Sequence, residues 1–203
     1  MNVNLRPATG DDARAMSEVD QQSWPAPLAA DEAQCRRRIE TYAEGQWLAT
    51  ADDQVVAVCW AQRITDGLLK SHGDRYDRIT DNDTFVRSHG ATGKIYQIVA
   101  VGVTPACRGW ALGRRLVDRQ IRQARSIRSI RRILGFTRPA GYHRFPDIAI
   151  ESYVQQCSES KSTLDPVLSF HLDAGATIVS IHHGFRPDDV AAGGHAILLE
   201  YPV

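Results

Sequence analysis

Val101-Gly102-Val103-Thr104-Pro105-Ala106-Cys107-Arg108-Gly109-Trp110-Ala111-Leu112-Gly113-Arg114-Arg115-Leu116 is the stretch on which the fold turns. An apolar run from Ile95 to Val103, the most strand-like in the chain, stops at Thr104-Pro105. The chain then turns through small residues and enters a helix expected from about Ala111 to Arg128. Leu112, Leu116, Ile121 and Ala124 give that helix an apolar side, and Arg115, Arg119, Arg122 and Arg125 a wet one. Free N–H groups at a helix start, glycines that permit close approach and flanking guanidiniums together make an anion site, and a pyrophosphate is its natural guest. The plainer reading of the same residues is a tight turn with no ligand.

Working outward, Val3 to Arg6 reads as an opening strand. A helix follows from Thr9-Gly10-Asp11-Asp12 to about Gln22, with Thr9 as cap and acids in the positive first turn. Trp24-Pro25-Ala26-Pro27 breaks it. A second helix from about Asp31 carries Cys35, Ile39 and Tyr42 on one face and ends at Gly45. Asp52-Asp53 joins two apolar runs into a hairpin. Residues 66–93 are polar and aperiodic, and read as an insertion loop with at most a helical turn. Ile133 to Thr137 is a strand, 148–156 a weakly marked helix, and Asp165-Pro166 opens a short helix that Gly175 closes. Thr177–His182 and Ala196–Tyr201 are the last strands. The order β-α-α-β-β-β-α-β-α-β-β implies an α/β (α+β) fold, a mixed sheet with helices on both faces.

The 203 residues fit one domain over 1–203. Basic and acidic residues both number 24, which gives no hint of a nucleic-acid partner. No stretch approaches the roughly 20 apolar residues of a membrane span. The opening Met1-Asn2-Val3-Asn4-Leu5-Arg6-Pro7 lacks a signal-peptide pattern, so a cytoplasmic location is the expectation. Cys35, Cys59, Cys107 and Cys157 lie far apart without metal-ligand spacing and read as reduced, buried thiols. His182-His183 does not read as a metal site either, because adjacent strand residues face opposite ways.

Arg108-Gly109-Trp110-Ala111-Leu112-Gly113 resembles the acyl-CoA signature of the GNAT (Gcn5-related acetyltransferase-like) superfamily, Arg/Gln-x-x-Gly-x-Gly/Ala. The element order agrees over nearly the whole chain. Ala111 departs from the pattern, standing where the first motif glycine is expected. The resemblance implies a mostly antiparallel GNAT sheet with splayed central strands and an acyl-CoA held by Val101, Val103, Arg108, Gly109, Trp110, Ala111, Gly113 and Arg114. Backbone N–H groups near Val101 to Val103 would polarise the thioester carbonyl.

Many superfamily members place a tyrosine four residues before the glycine of the penultimate helix, to protonate the departing thiolate; here that residue is His171. It shares a helix face with Val167 and Ala174 and is expected to point inward, neutral. The plainer reading is a core histidine. Thr137, His171, Arg186 in Phe185-Arg186-Pro187-Asp188-Asp189, and the segment Asp165 to Ala176 together are similar to the GNAT-like loading domains of polyketide assembly lines. Such domains decarboxylate malonyl-CoA with a threonine–histidine pair and were proposed to pass acetyl to a carrier-protein thiol. On that resemblance His171 and Thr137 are the catalytic candidates. Arg186 is a candidate for the malonyl carboxylate and Trp24 for the wall of the acyl pocket, each with a purely structural alternative. No metal is implied.

Three readings compete: a decarboxylase or acyltransferase acting on malonyl-CoA, an amine N-acetyltransferase using acetyl-CoA, and a non-catalytic acyl-CoA-binding module. The Ile95–Val103 strand has no carboxylate to act as general base for an amine, which favours the first. The arginines from Arg119 to Arg132 read as a solvated helix face or, more sharply, as a docking surface for an acidic carrier protein. Oligomeric state is not legible.

Overall fold

The structure, a computed structural model, describes residues 2–159 and 164–203. The seven expected strands form one sheet: β1 (Val3–Pro7), β2 (Gln46–Ala51), β3 (Gln54–Ile64), β4 (Ile95–Val103), β5 (Arg132–Thr137), β6 (Thr177–His182) and β7 (Ala196–Tyr201). Their order is β1-β2-β3-β4-β5-β7-β6. Neighbours run antiparallel except β4 and β5, which are parallel. The β2–β3 turn uses Asp52 and Asp53 at φ 47° and 67°, the left-handed pair that a two-residue hairpin requires.

The helices are α1 (Ala13–Ser23), α2 (Glu32–Thr41), α3 (Asp66–His72), α4 (Tyr76–Ile79), α5 (Leu112–Ser126), α6 (Ile150–Glu159) and α7 (Pro166–Asp173). α2 starts at the expected cap, where Asp31 Oδ1 accepts from Gln34 N at 2.7 Å and Gln34 Oε1 accepts from Asp31 N at 2.9 Å. At α1 the Thr9 hydroxyl donates to the Asp12 carboxylate at 2.8 Å instead of capping an amide. Arg6 grips the same carboxylate and holds its pKa down at about 2. Gln120, on the inward side of α5, is fully buried and donates to Gly45 O and Cys59 O at 2.8 and 3.2 Å, fastening the helix to β3.

α5, α6 and α7 cover one sheet face through Leu116, Val117, Ile121, Tyr153 and Leu168. α1 and α2 cover the other through Met16, Val19 and Ile39 against Leu48, Val58 and Trp60. Residues 66–93 hold more structure than the sequence announces: α3, α4 and a buried plug, Phe85, at φ 66°. Polar patterning hid the insertion because its anchor is a long-range ion network. Arg38, sandwiched between the Trp60 and Phe85 rings at 4.8 and 5.1 Å, donates to the Asp83 carboxylate and to Asp83 O. It also lies 3.7 Å from Asp20. Removing one partner from such a buried set is strongly destabilising.

Candidate active site

β4 and β5 pair over only four positions, Ile95–Ile98 against Arg132–Gly135, and then part. On its other side β4 stays paired with β3 up to Val103, with a bulge at Val99 between the Trp60 and Ala61 positions. Thr104 N donates to Val56 O at 2.9 Å. By antiparallel alternation the Gly102 amide also faces β3, which turns the N–H and C=O groups of Val101 and Val103 into the gap. A strand edge lacking its partner therefore opens inside the protein, and a cavity of about 660 Å³ occupies the space.

The sequence at 104–113 builds one end of this cavity. Pro105–Cys107 makes a short 3-10 turn, Gly109 adopts φ 87°, and Ala111 precedes α5 at φ 56°, ψ 20°. That left-handed conformation explains why the motif prefers glycine at Ala111. A side chain there costs about 1–2 kcal/mol. The first amides of α5 have no intrahelical acceptor and carry the positive end of its dipole. Arg108, Gly109 and Gly113 line the cavity beside Val101 and Val103. Trp110 instead faces solvent, 38% exposed. Arg114 is engaged by Asp118 at 2.9 Å and donates to Asp173 O at 2.8 Å, tying α5 to the end of α7.

α7 stands where the local sequence puts it. Asp165, fully buried, accepts from Val167 N and Leu168 N at 3.0 and 2.9 Å, and from Gly141 N and the Tyr153 hydroxyl at 2.9 and 3.0 Å. Gly175 ends the segment at φ 89°. This frame sets His171 in the cavity wall, where its Nδ1 lies 2.6 Å from the Tyr201 hydroxyl. His171 opens on the cavity but sits deep in the protein, and burial lowers its pKa to about 4, so the ring is neutral at pH 7. Burial raises the Tyr201 phenol above its ordinary value, so its proton is retained. When Tyr201 donates to Nδ1, Nε2 carries the ring proton and points it elsewhere. Thr137, at the end of β5, lines the same cavity; it is buried and its Oγ1 lacks a partner among the described residues.

Trp24 lines the cavity from the loop after α1, and so does Ser23, the last residue of α1, whose buried Oγ is likewise unpartnered among the described residues. Arg186 is placed elsewhere. Its guanidinium lies 3.8 Å from the centre of the Tyr76 ring and donates to Leu28 O at 2.9 Å, so it clamps the α1–α2 loop outside the cavity lining. Besides Arg108 at the helix-start end, Arg138, next to Thr137, lines the cavity. Sequence reasoning passed over Arg138, Tyr201 and Ser23, because each gains its role from a partner or a gap far along the chain. No Asp or Glu lines the cavity among the described residues.

On the arginine-rich side, Arg119 covers the Trp47 ring at 4.2 Å, Arg125 donates to Pro202 O at 2.8 Å, and Arg132 pairs with Glu200 at 2.8 Å. Arg115, Arg122, Arg128 and Arg131 are exposed. His182 lies 2.9 Å from Ser180 Oγ and His183 lies 3.1 Å from Glu151. No helix among the described residues is long and apolar enough to cross a membrane.

Comparison with known proteins agrees with this geometry. The loading GNATL domain of CurA from Lyngbya majuscula superposes with a TM-score of 0.88 at 25% identity, covering 99% of this chain and 98% of that one. The GNAT-like decarboxylase GphF, solved in complex with isobutyryl-CoA, superposes with a TM-score of 0.84 at 30% identity over 98% of both chains. A curated Bacillus subtilis (strain 168) protein described as a probable hydrolase, YhcX, is 30% identical over 166 residues, 80% of this chain; the chain spans only 31% of that protein's length. The family model for the acetyltransferase (GNAT) family matches residues 13–143, well over half of the sequence. With its parted β4–β5 pair and its left-handed turn into α5, the chain belongs to the GNAT acetyltransferase family.

Proposed function

We propose that this chain is an acyl-CoA-dependent enzyme that decarboxylates malonyl-CoA. The observation that carries the reading is one cavity lined by His171, held neutral by burial, and by Thr137, whose hydroxyl has no partner among the described residues, with no carboxylate among its described lining residues. An amine acetyltransferase needs a base to take a proton from its nucleophile, and a decarboxylase does not. The residues fit the thioester. The start of α5 and Arg108 would face the pyrophosphate, and the Val101 and Val103 amides, turned into the gap, would face the acyl carbonyl.

In the reaction the bond between the α-carbon and the carboxylate breaks. Its electron pair enters the thioester as an enolate, CO2 leaves, and the α-carbon takes a proton. The strand amides hold the developing negative charge on the carbonyl oxygen. His171 Nε2–H and Thr137 Oγ1–H supply the donors at the reacting atoms, and the proton given up is replaced from solvent. GphF, a decarboxylase, and the CurA loading domain support this reading over N-acetylation. Passage of the acetyl group to a carrier-protein thiol is the companion step, with the pantetheine arm entering the same gap.

The test is incubation of the protein with malonyl-CoA and no acceptor, followed by mass spectrometry of the thioester. Conversion to acetyl-CoA that is lost in His171→Ala, with acetyl-CoA affinity kept, is the expected result. Unchanged malonyl-CoA refutes the reading.

A further inference from the structure

We infer that Arg138, paired with Asp189, is the residue that recognises an acyl carboxylate in this cavity. The inference rests on the proposed malonyl-CoA reading for its substrate, but on separate residues for its site.

Arg138 follows Thr137, the last residue of β5, and lines the cavity. Its Nε and Nη2 donate to Asp189 Oδ2 and Oδ1 at 2.6 and 2.5 Å. That bidentate grip uses one edge of the guanidinium and leaves the Nη1 protons and the second Nη2 proton on the other edge. Trp24 stands beside it, with the guanidinium carbon 5.9 Å from the ring centre. Near them are two buried hydroxyls, Ser23 Oγ and Thr137 Oγ1, that have no partner among the described residues. Buried polar atoms ordinarily find partners, and both of these belong to residues of one cavity's wall, which leaves that wall polar beside Arg138. Arg186 does not compete for this role, because its guanidinium lies over the Tyr76 ring, donates to Leu28 O and is not part of the cavity lining.

Asp189 gives the site its particular chemistry. Its carboxylate is 3% exposed, so the charge of Arg138 is offset at close range inside the protein. A naked arginine would hold the substrate carboxylate firmly as an anion, and decarboxylation requires that anion to give up its charge as neutral CO2. A guanidinium already neutralised offers directional N–H donors with little net charge. It orients the carboxylate without opposing its loss. Asp189 is thus a positioning and charge-setting residue, and Arg138 the contact.

The experiment measures affinity of the full chain for acetyl-CoA and for the malonyl-CoA analogue bearing a sulfonate in place of the carboxylate, which cannot lose CO2. Arg138→Gln is expected to weaken the sulfonate analogue about tenfold, as for loss of a charge-assisted contact, while acetyl-CoA changes less than twofold. Because Arg138→Gln leaves Asp189 without its partner, the double variant Arg138→Gln/Asp189→Asn is measured beside it and should show the same ratio. Asp189→Asn alone should bind the analogue more tightly and turn over malonyl-CoA more slowly. Equal weakening of both thioesters, or an unchanged ratio, overturns the assignment. A protein that discriminates the anion through Arg138 yet never converts malonyl-CoA upholds this site and refutes only the decarboxylase reading.

Discussion

Replacing His171 by glutamine removes a titrating group from the cavity while leaving an oxygen able to accept from Tyr201. In the unfolded chain a histidine protonates near pH 6.5, whereas burial holds His171 at about 4. The unfolded state therefore binds the proton first as pH falls, and acid costs the native state stability. Linkage puts the loss at about 2 kcal/mol by pH 5 and about 3 kcal/mol once the pH is below 4. None of it is felt above about pH 7.5. Other groups titrate across the same window; Asp20, raised to about 6 by burial, works in the opposite sense. The informative quantity is thus the difference between wild type and His171→Gln, from urea unfolding at half-unit steps between pH 7.5 and 5. The variant should fall less steeply, with the two lines separating by about 2 kcal/mol at pH 5. Parallel lines would mean that His171 is hydrated in the folded protein, and the neutral donor assigned to it would lose its basis.

Ala111→Gly relieves the left-handed strain before α5 and should raise stability by about 0.5–1 kcal/mol after the added freedom of the unfolded chain is counted. Calorimetry should show Tm up by about 1–4 °C. Tyr201→Phe takes the hydroxyl from His171 Nδ1 and should cost about 1–3 kcal/mol in denaturant unfolding. It should also lower kcat on malonyl-CoA with little change in KM. Asp165→Ala strips the buried acceptor from four donors and should cost about 2–4 kcal/mol, again by denaturant unfolding.

What the sequence disclosed was local. Asp165-Pro166 and Gly175 bracket α7 because capping and left-handed termination act over a few residues, and they carried His171 to the cavity wall. The strand that stops at Thr104-Pro105 and the turn at Ala111 set the start of α5 at one end of the cavity for the same reason. Concealed were the features that depend on distant partners. Arg186 reads in sequence as a candidate for the substrate carboxylate, and nothing local announces that it donates to Leu28 O, 158 positions earlier in the chain, outside the cavity lining. Arg138 carries no signal in the sequence, because the Asp189 that meets it lies 51 positions away. Residues 66–93 looked formless because Phe85 and Asp83 find their partners on α2 and β3. Thr137 was legible by position, but only the tertiary structure reveals that its hydroxyl has no partner among the described residues.

The arginine-rich helix and the turn after it bear on the molecule as a whole. Between Arg108 and Arg132 there are nine arginines and one acid, so the other 178 residues hold fifteen basic side chains against twenty-three acidic ones. A chain with formal charge zero and pI about 7.1 is therefore strongly polarised, with several of those arginines exposed along α5 and beyond. At its isoelectric point it should still cling to a cation-exchange resin through this flank, and at low ionic strength two copies should attract each other head to tail. Salt at about 0.15 M, with a screening length of about 8 Å, removes both effects.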